Sequence, residues 1–182
     1  GYTYVRGDDK DRIVETGGSD IVECGEGIEV GEIELVGRPD GAGGLSIEVR
    51  IVGETAVVFG DARAERIDGF QFASGELYGY SEMLRRTGGL RNEGGDGDDI
   101  LPGSFFNDAI YGFAGNDQLS ADAGDDLLSG GEGDDVLAGG ANNDTYVFNR
   151  FDGRDSILEY RGNDEYLLFR GYFTPTLHRR FE

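Results

Sequence analysis

From Gly94 the chain can be cut every nine residues without losing phase: GGDGDDILP (94–102), GSFFNDAIY (103–111), GFAGNDQLS (112–120), ADAGDDLLS (121–129), GGEGDDVLA (130–138) and GGANNDTYV (139–147). The sixth residue of every unit is Asp: Asp99, Asp108, Asp117, Asp126, Asp135 and Asp144. The fifth is always Asp or Asn, and the eighth is always apolar or aromatic: Leu101, Ile110, Leu119, Leu128, Leu137 and Tyr146. A fixed period of this kind is the mark of a repeat architecture, and no other feature constrains the fold as tightly. A charge run on a solvated face has no reason to keep such a register.

The spacing has a direct physical reading. The Gly- and Asn-rich part of each unit is a turn that needs unusual backbone angles. The last part, one apolar residue between two neighbours, is a short strand. Two units then make one turn of a flattened coil, its strands stacked in parallel about 4.8 Å apart. The eighth residues point inward and the loops line both edges. A core of one side chain per nine residues buries too little apolar surface to offset the ordering of the chain. Stacking also sets carboxylates of successive turns against one another. A hard divalent cation between the loops reverses that repulsion, and a site of carboxylate and carbonyl oxygens without sulfur or imidazole is what calcium favours.

The units GGDGDDILP and GGEGDDVLA are near-perfect copies of GGxGxDxUx, and the segment resembles the RTX, or haemolysin-type, calcium-binding repeat. The resemblance implies an all-β fold: a parallel β-roll of nonapeptides packed against a small β-rich flanking domain. It implies several Ca2+ ions between loops of neighbouring turns, held by the sixth-position carboxylates and by loop carbonyls. Loop n then pairs with loop n+2, so Asp99, Asp117 and Asp135 share one edge and Asp108, Asp126 and Asp144 the other. Gly95, Gly97, Gly115, Gly131 and Gly133 belong to the same sites. The first edge keeps Gly97, Gly115 and Gly133 at the fourth position, whereas the second has Phe106, Gly124 and Asn142. Asn tolerates left-handed backbone and Phe does not. Tighter sites are therefore expected on the first edge, with the Phe106 loop distorted or without metal.

A longer repeat surrounds the short one. TYVRGDDKDRIVETGGSD (3–20) aligns with TYVFNRFDGRDSILEYRGND (145–164) over a two-residue gap, placing Asp11 with Asp155 and Asp20 with Asp164. RFDGRDSIL (150–158) keeps Gly153 and Asp155 at the fourth and sixth positions, as an offset seventh loop. Asp155 and Asp11 join the candidate calcium ligands; Asp20 and Asp164 are weaker ones. Between the blocks, 31–37, 45–52, 55–60 and 65–73 read as short strands, two of them alternating apolar and charged residues as half-buried antiparallel strands do. RPDGAGG (38–44) reads as a hairpin loop, and 76–92 as a short helix or a linker. The expected organisation is the end of a preceding repeat block at 1–30, a β-rich flank at 31–80, a linker at 81–93, the roll at 94–158, and a C-terminal flank at 159–182 that begins a further unit. A chain opening on Gly1 reads as a piece of something longer.

Composition narrows the function. Gly fills 33 of 182 positions, more than twice the usual ~7%. Sixteen bases against 37 acids leave a formal charge of −21, which argues against nucleic acid and anionic membrane surfaces as partners. No apolar run approaches a membrane span. The single Cys24 excludes an intrachain disulfide and reads as a small hydrophobe. The only histidine, His178, lies near the chain end; there is no HExxH and no GxSxG, so neither zinc-protease nor elbow-serine chemistry is present. The expected reading is a non-enzymatic calcium-binding module, secreted or at the cell surface, that folds on meeting calcium outside the cell as part of a larger type I-secreted protein. Its partners are then calcium and the parent's other domains. The alternative is an adhesin, surface-layer or polysaccharide-binding module that uses the roll as a scaffold for glycans or surface structures. In that reading Phe105, Phe106, Tyr111 and Tyr146 either stack on sugars or pack in the roll.

Overall fold

The computed structural model describes residues 2–4, 11–13, 21–39, 45–51, 54–62, 67–158 and 165–169, with side chains for 21–39, 46–51 and 67–158. The chain divides into two compact units, Gly1–Gly88 and Gly89–Glu182.

The first unit contains β1 (Tyr2–Tyr4), β2 (Asp11–Ile13), β3 (Ile21–Cys24), β4 (Ile33–Pro39), β5 (Leu45–Ile51), β6 (Glu54–Ala62), β7 (Gly69–Phe72), β8 (Leu77–Gly79) and helix α1 (Tyr80–Thr87). Strands β4, β5 and β6 are antiparallel neighbours, with Leu35 opposite Val49 and Val49 opposite Val57. Ile33, Leu35, Ile47, Val49 and Ile51 are buried, as the alternation requires. Glu48 is buried too, and Arg38 and Arg50 pair with it at 3.3 and 3.0 Å. The RPDGAGG loop lies largely outside the described residues. Within 81–93 the chain is ordered as elements rather than as a linker. Residues 80–87 are helical, burying Met83 and Leu84 and ending on the left-handed Gly88, and 91–93 are a strand. Cys24 is buried, and burial pushes its thiol up to about 11, so it serves as a packing group.

At the N-terminus β1 pairs in parallel with β3, Thr3 opposite Glu23, and β3 in parallel with β7. In the second unit residues 145–149 pair in parallel with 165–169, Thr145 opposite Glu165, two residues out of step with the alignment of the TYV segments.

The second unit is the roll. It consists of β9 (Arg91–Glu93), β10 (Ile100–Ser104), β11 (Ala109–Ala114), β12 (Gln118–Asp122), β13 (Leu127–Glu132), β14 (Val136–Ala138), β15 (Thr145–Asn149), β16 (Ser156–Ile157) and β17 (Glu165–Phe169). Even-numbered strands from β10 to β16 form one parallel sheet, and odd-numbered strands from β9 to β17 form the other. Ile100 stands opposite Gln118 and Gln118 opposite Val136, so each turn advances two nonapeptides. Leu101, Leu119, Leu137 and Ile157 from one sheet meet Ile110, Leu128 and Tyr146 from the other, all at most 2% exposed. Tyr146 fits this apolar column because its hydroxyl accepts the Gly139 N–H at 2.8 Å. Asn92 takes the rung opposite Ile110 and donates to the Pro102 carbonyl, ending the apolar column with a polar side chain.

Candidate metal centre

The loops between the two sheets bring the sixth-position aspartates into two columns. Asp99, Asp117, Asp135 and Asp155 follow one edge, and Asp108, Asp126 and Asp144 the other. All but Asp99 are at most 3% exposed. Each column is laced to the backbone one turn back. The N–H of Asp99 donates to Asp117 Oδ1, that of Asp117 to Asp135 Oδ1, and that of Asp135 to Asp155 Oδ1, at 2.8, 2.8 and 3.2 Å. On the other edge Leu90, Asp108 and Asp126 donate to Asp108, Asp126 and Asp144, at 2.7, 2.7 and 3.1 Å.

The fifth position, to which sequence reasoning gave no role, makes the opposite stitch. Asn116 N–H donates to Asp98 Oδ1, Asp134 N–H to Asn116 Oδ1, and Arg154 N–H to Asp134 Oδ1. Asp125 N–H donates to Asn107 Oδ1 and Asn143 N–H to Asp125 Oδ1. Only a short side chain with a carbonyl-type oxygen reaches a backbone N–H at this point, so Asp and Asn serve equally. The constant choice of Asp or Asn at the fifth position was the available signal.

The lacing uses one oxygen of each buried carboxylate. Oδ2 of Asp117, Asp126 and Asp135 is buried and accepts no hydrogen bond. A buried charge without a partner is costly, and its pKa registers the cost. Burial pushes the Asp117 carboxyl up to about 6 despite the Asp99 N–H, with the Asp135 and Asp99 carboxylates adding to the shift. Burial likewise takes Asp126 and Asp155 up to about 7, and raises Asp135 and Asp108. Room for the Asp117 and Asp135 oxygens comes from the glycine that opens each of their units. A Cβ at Gly112 or Gly130 would fall 2.2 or 2.0 Å from Oδ2 of Asp117 or Asp135.

Backbone oxygens form columns alongside. A Cβ at Gly133 would lie 1.8 Å from the Gly115 carbonyl oxygen, one at Gly153 1.9 Å from that of Gly133, and one at Gly131 2.0 Å from that of Phe113. Among the described residues no three acidic, histidine or cysteine side chains converge on one point. A cation here would therefore draw most of its oxygens from the backbone. Unpartnered carboxylate oxygens beside stacked carbonyls, with no sulfur or imidazole, fit a hard cation such as calcium.

The edges differ less than their sequences. Asn142 takes a positive φ of 83°, as Gly115, Gly124 and Gly133 do at this position, and Asp126 is as buried as Asp117. Irregularity is confined to the first loop of each edge. Asp99 is only half-buried, with Gly95 and Gly97 exposed, and its Oδ2 accepts the Gly95 N–H at 2.7 Å. Asp11 opens β2 in the other unit, opposite Val57, and its side chain lies outside the described residues. So do Asp20, Asp164 and His178. Of the aromatics, Tyr146 is core, Phe106 and Tyr111 are half-buried, and Phe105 is exposed; Tyr111 stacks on Phe113 at 6.3 Å.

The raised carboxyls predict an inverted pH response without metal. Their folded pKa values, about 6 to 7, exceed the ~3.9 of an unfolded Asp. Between those limits the folded roll binds more protons than the unfolded chain, so its stability falls as pH rises from about 4 to about 7. In EDTA the roll should therefore show more strand signal by circular dichroism at pH 5 than at pH 8. In calcium the order reverses, because protons compete with the cation.

A family profile agrees with this geometry. The RTX calcium-binding nonapeptide repeat, as a four-copy family profile, matches residues 93–128, 111–146 and 122–157. Among solved structures the chain is similar to the extracellular lipase LipA from Serratia marcescens. That match has 22% identity and a TM-score of 0.41, and covers 87% of this chain but 26% of the lipase. No curated protein sequence matches the chain.

Proposed function

We propose, from the premise that residues 93–157 are RTX calcium-binding nonapeptide repeats, that this chain is a module of a larger secreted protein and folds its roll on binding several Ca2+ ions outside the cell. The observation that carries the reading is the set of buried Oδ2 atoms on Asp117, Asp126 and Asp135 with no donor. Asp144 and Asp155 would complete the columns, and the stacked carbonyls of Phe113, Gly115 and Gly133 would supply the remaining oxygens. Unfolded repeats suit passage through a type I exporter where calcium is scarce. Extracellular calcium modules, with affinities of ~10⁻⁴–10⁻³ M, would then order only on arrival. The parallel pairing of β1 with β3 supports residues 1–30 as the end of a preceding block, and that of β15 with β17 supports 159–182 as the start of another. Among the described residues no helix is long and apolar enough to cross a membrane.

Circular dichroism across a calcium titration tests the reading. Strand signal should rise between EDTA and several millimolar calcium, and an unchanged spectrum overturns it. A second reading, a scaffold for glycan or surface binding, is favoured by Phe105, Phe113 and Phe151, which are 81%, 50% and 79% exposed. Phe113 and Phe151 also hold left-handed φ of 77° and 79°, a strain of ~1–2 kcal/mol each that burial does not offset. A glycan array with calcium present separates the two, since a pure folding module binds nothing on it.

A further inference from the structure

The loops take two conformations, and the division does not follow the strong and weak copies of the motif. In 112–117, 121–126, 130–135 and 139–144 the second residue is left-handed: Phe113, Asp122, Gly131 and Gly140 have φ 77°, 71°, 106° and 104°. In 94–99 and 103–108 neither the second nor the fourth residue is, so Gly95, Gly97, Ser104 and Phe106 all stay outside that region. Phe106 is thus not what selects the second conformation, because Gly97 shares it while free to do otherwise. With the second residue turned the ordinary way, its N–H points back at the aspartate of its own loop. Gly95 N–H donates to Asp99 Oδ2 and Ser104 N–H to Asp108 Oδ2.

Asp108 goes further than Asp99. The Ser104 hydroxyl donates to Asp108 Oδ1 at 2.9 Å, and Leu90 N–H to the same oxygen at 2.7 Å. This carboxylate, 3% exposed, has donors on both oxygens, where Asp117, Asp126 and Asp135 each keep a buried Oδ2 with none. We propose that Ser104 takes the place of a cation in loop 103–108. Asp108 is then a structural acceptor rather than a calcium ligand, and the metal column of the second edge begins at Asp126. The assignment rests on the calcium reading above and adds which loop is closed without metal, and by which residue. Hydrogen-bond donors and a cation compete for the same lone pairs. Metal could enter only by displacing the serine clamp from a buried charge, and Ser104 is the one member of that clamp contributed by a side chain.

Calcium counted per chain, by isothermal titration and by equilibrium dialysis with calcium alone, tests it on the full chain. Asp108→Asn should leave the count unchanged, because the Asn oxygen still accepts the Leu90 N–H. Asp126→Asn should lower the count by one ion or weaken one site at least tenfold. Ser104→Gly, which removes the hydroxyl and frees the second position to become left-handed, should add one ion. Loss of an ion in Asp108→Asn, or an unchanged count in Ser104→Gly, overturns the assignment. If Asp108→Asn does not fold, Ser104→Gly alone decides. A wild-type chain that takes up no calcium overturns the underlying reading and this one with it. A chain that takes up calcium and loses an ion in Asp108→Asn overturns this one alone.

Discussion

In EDTA, amide hydrogen exchange of the whole chain is expected to be fast through 112–157 and slow through β4 and β5, with millimolar calcium restoring protection to the roll only. The contrast follows from what each part buries. Strands β4 and β5 carry Ile33, Leu35, Ile47, Val49 and Ile51 inward, and the one buried acid, Glu48, lies beside two arginines. The roll buries one position-8 side chain per nonapeptide and, with them, Asp117, Asp126 and Asp135, whose second oxygens have no donor. Its carboxylates repel along each edge, which is why the neighbouring acids add to the raised pKa values of Asp117 and Asp126. A site with a dissociation constant near 10⁻⁴ M gains about 1.4 kcal/mol at ~1 mM calcium. Several such sites together reach the 5–15 kcal/mol that separates a typical folded domain from its unfolded state. Equal protection of 112–157 with and without calcium would show that the roll is held by its hydrogen-bond lacing alone.

Much of the roll was legible because its period is a statement about geometry. A residue repeating every nine positions on a coil of two units per turn must fall on the same rung, so Leu101, Leu119 and Leu137 could be stacked from the sequence. So could the two aspartate columns. The antiparallel β4 and β5 followed from alternation in the same way, while β6, which does not alternate, was legible only as a strand. What the sequence did not carry were contacts set by stacking across eighteen residues. The fifth-position stitch needs the neighbouring turn in place before an Asn oxygen can be seen to reach an N–H. The motif also cannot separate an end turn from an interior one. GGDGDD and GGEGDD differ by one acid, yet Asp99 is half-buried and accepts its own loop's Gly95 N–H, while Asp135 is buried with a bare oxygen. The left-handed Phe113 and Phe151 went against the residue rule that was used to suspect Phe106. Loops 94–99 and 103–108, at the start of the ladder, are free of that backbone.

The same distinction predicts that two glycines in equivalent positions respond in opposite ways to alanine. Gly133 has φ 141°, and its Cβ would lie 1.8 Å from the Gly115 carbonyl oxygen. A methyl group there must displace backbone rather than a flexible side chain, and the displaced atom is one of the oxygens assigned to the metal column. Left-handed strain of ~1–2 kcal/mol and overpacking of ~1–3 kcal/mol then add to the loss of a well-formed cation site. Gly97, the fourth residue of the first unit, is exposed, is not left-handed, and has nothing within 4 Å of its Cβ direction. Alanine there restricts only the unfolded chain and should be neutral or stabilising by about 0.4–1 kcal/mol. Urea unfolding in millimolar calcium, followed by strand signal, should therefore give Gly133→Ala a midpoint well below wild type, and Gly97→Ala one at or above it. Gly133→Ala should also weaken calcium binding, whereas Gly97→Ala should not. Coincident midpoints for the two variants would mean that the nonapeptide loops are equivalent, with no difference between the end and the interior of the roll.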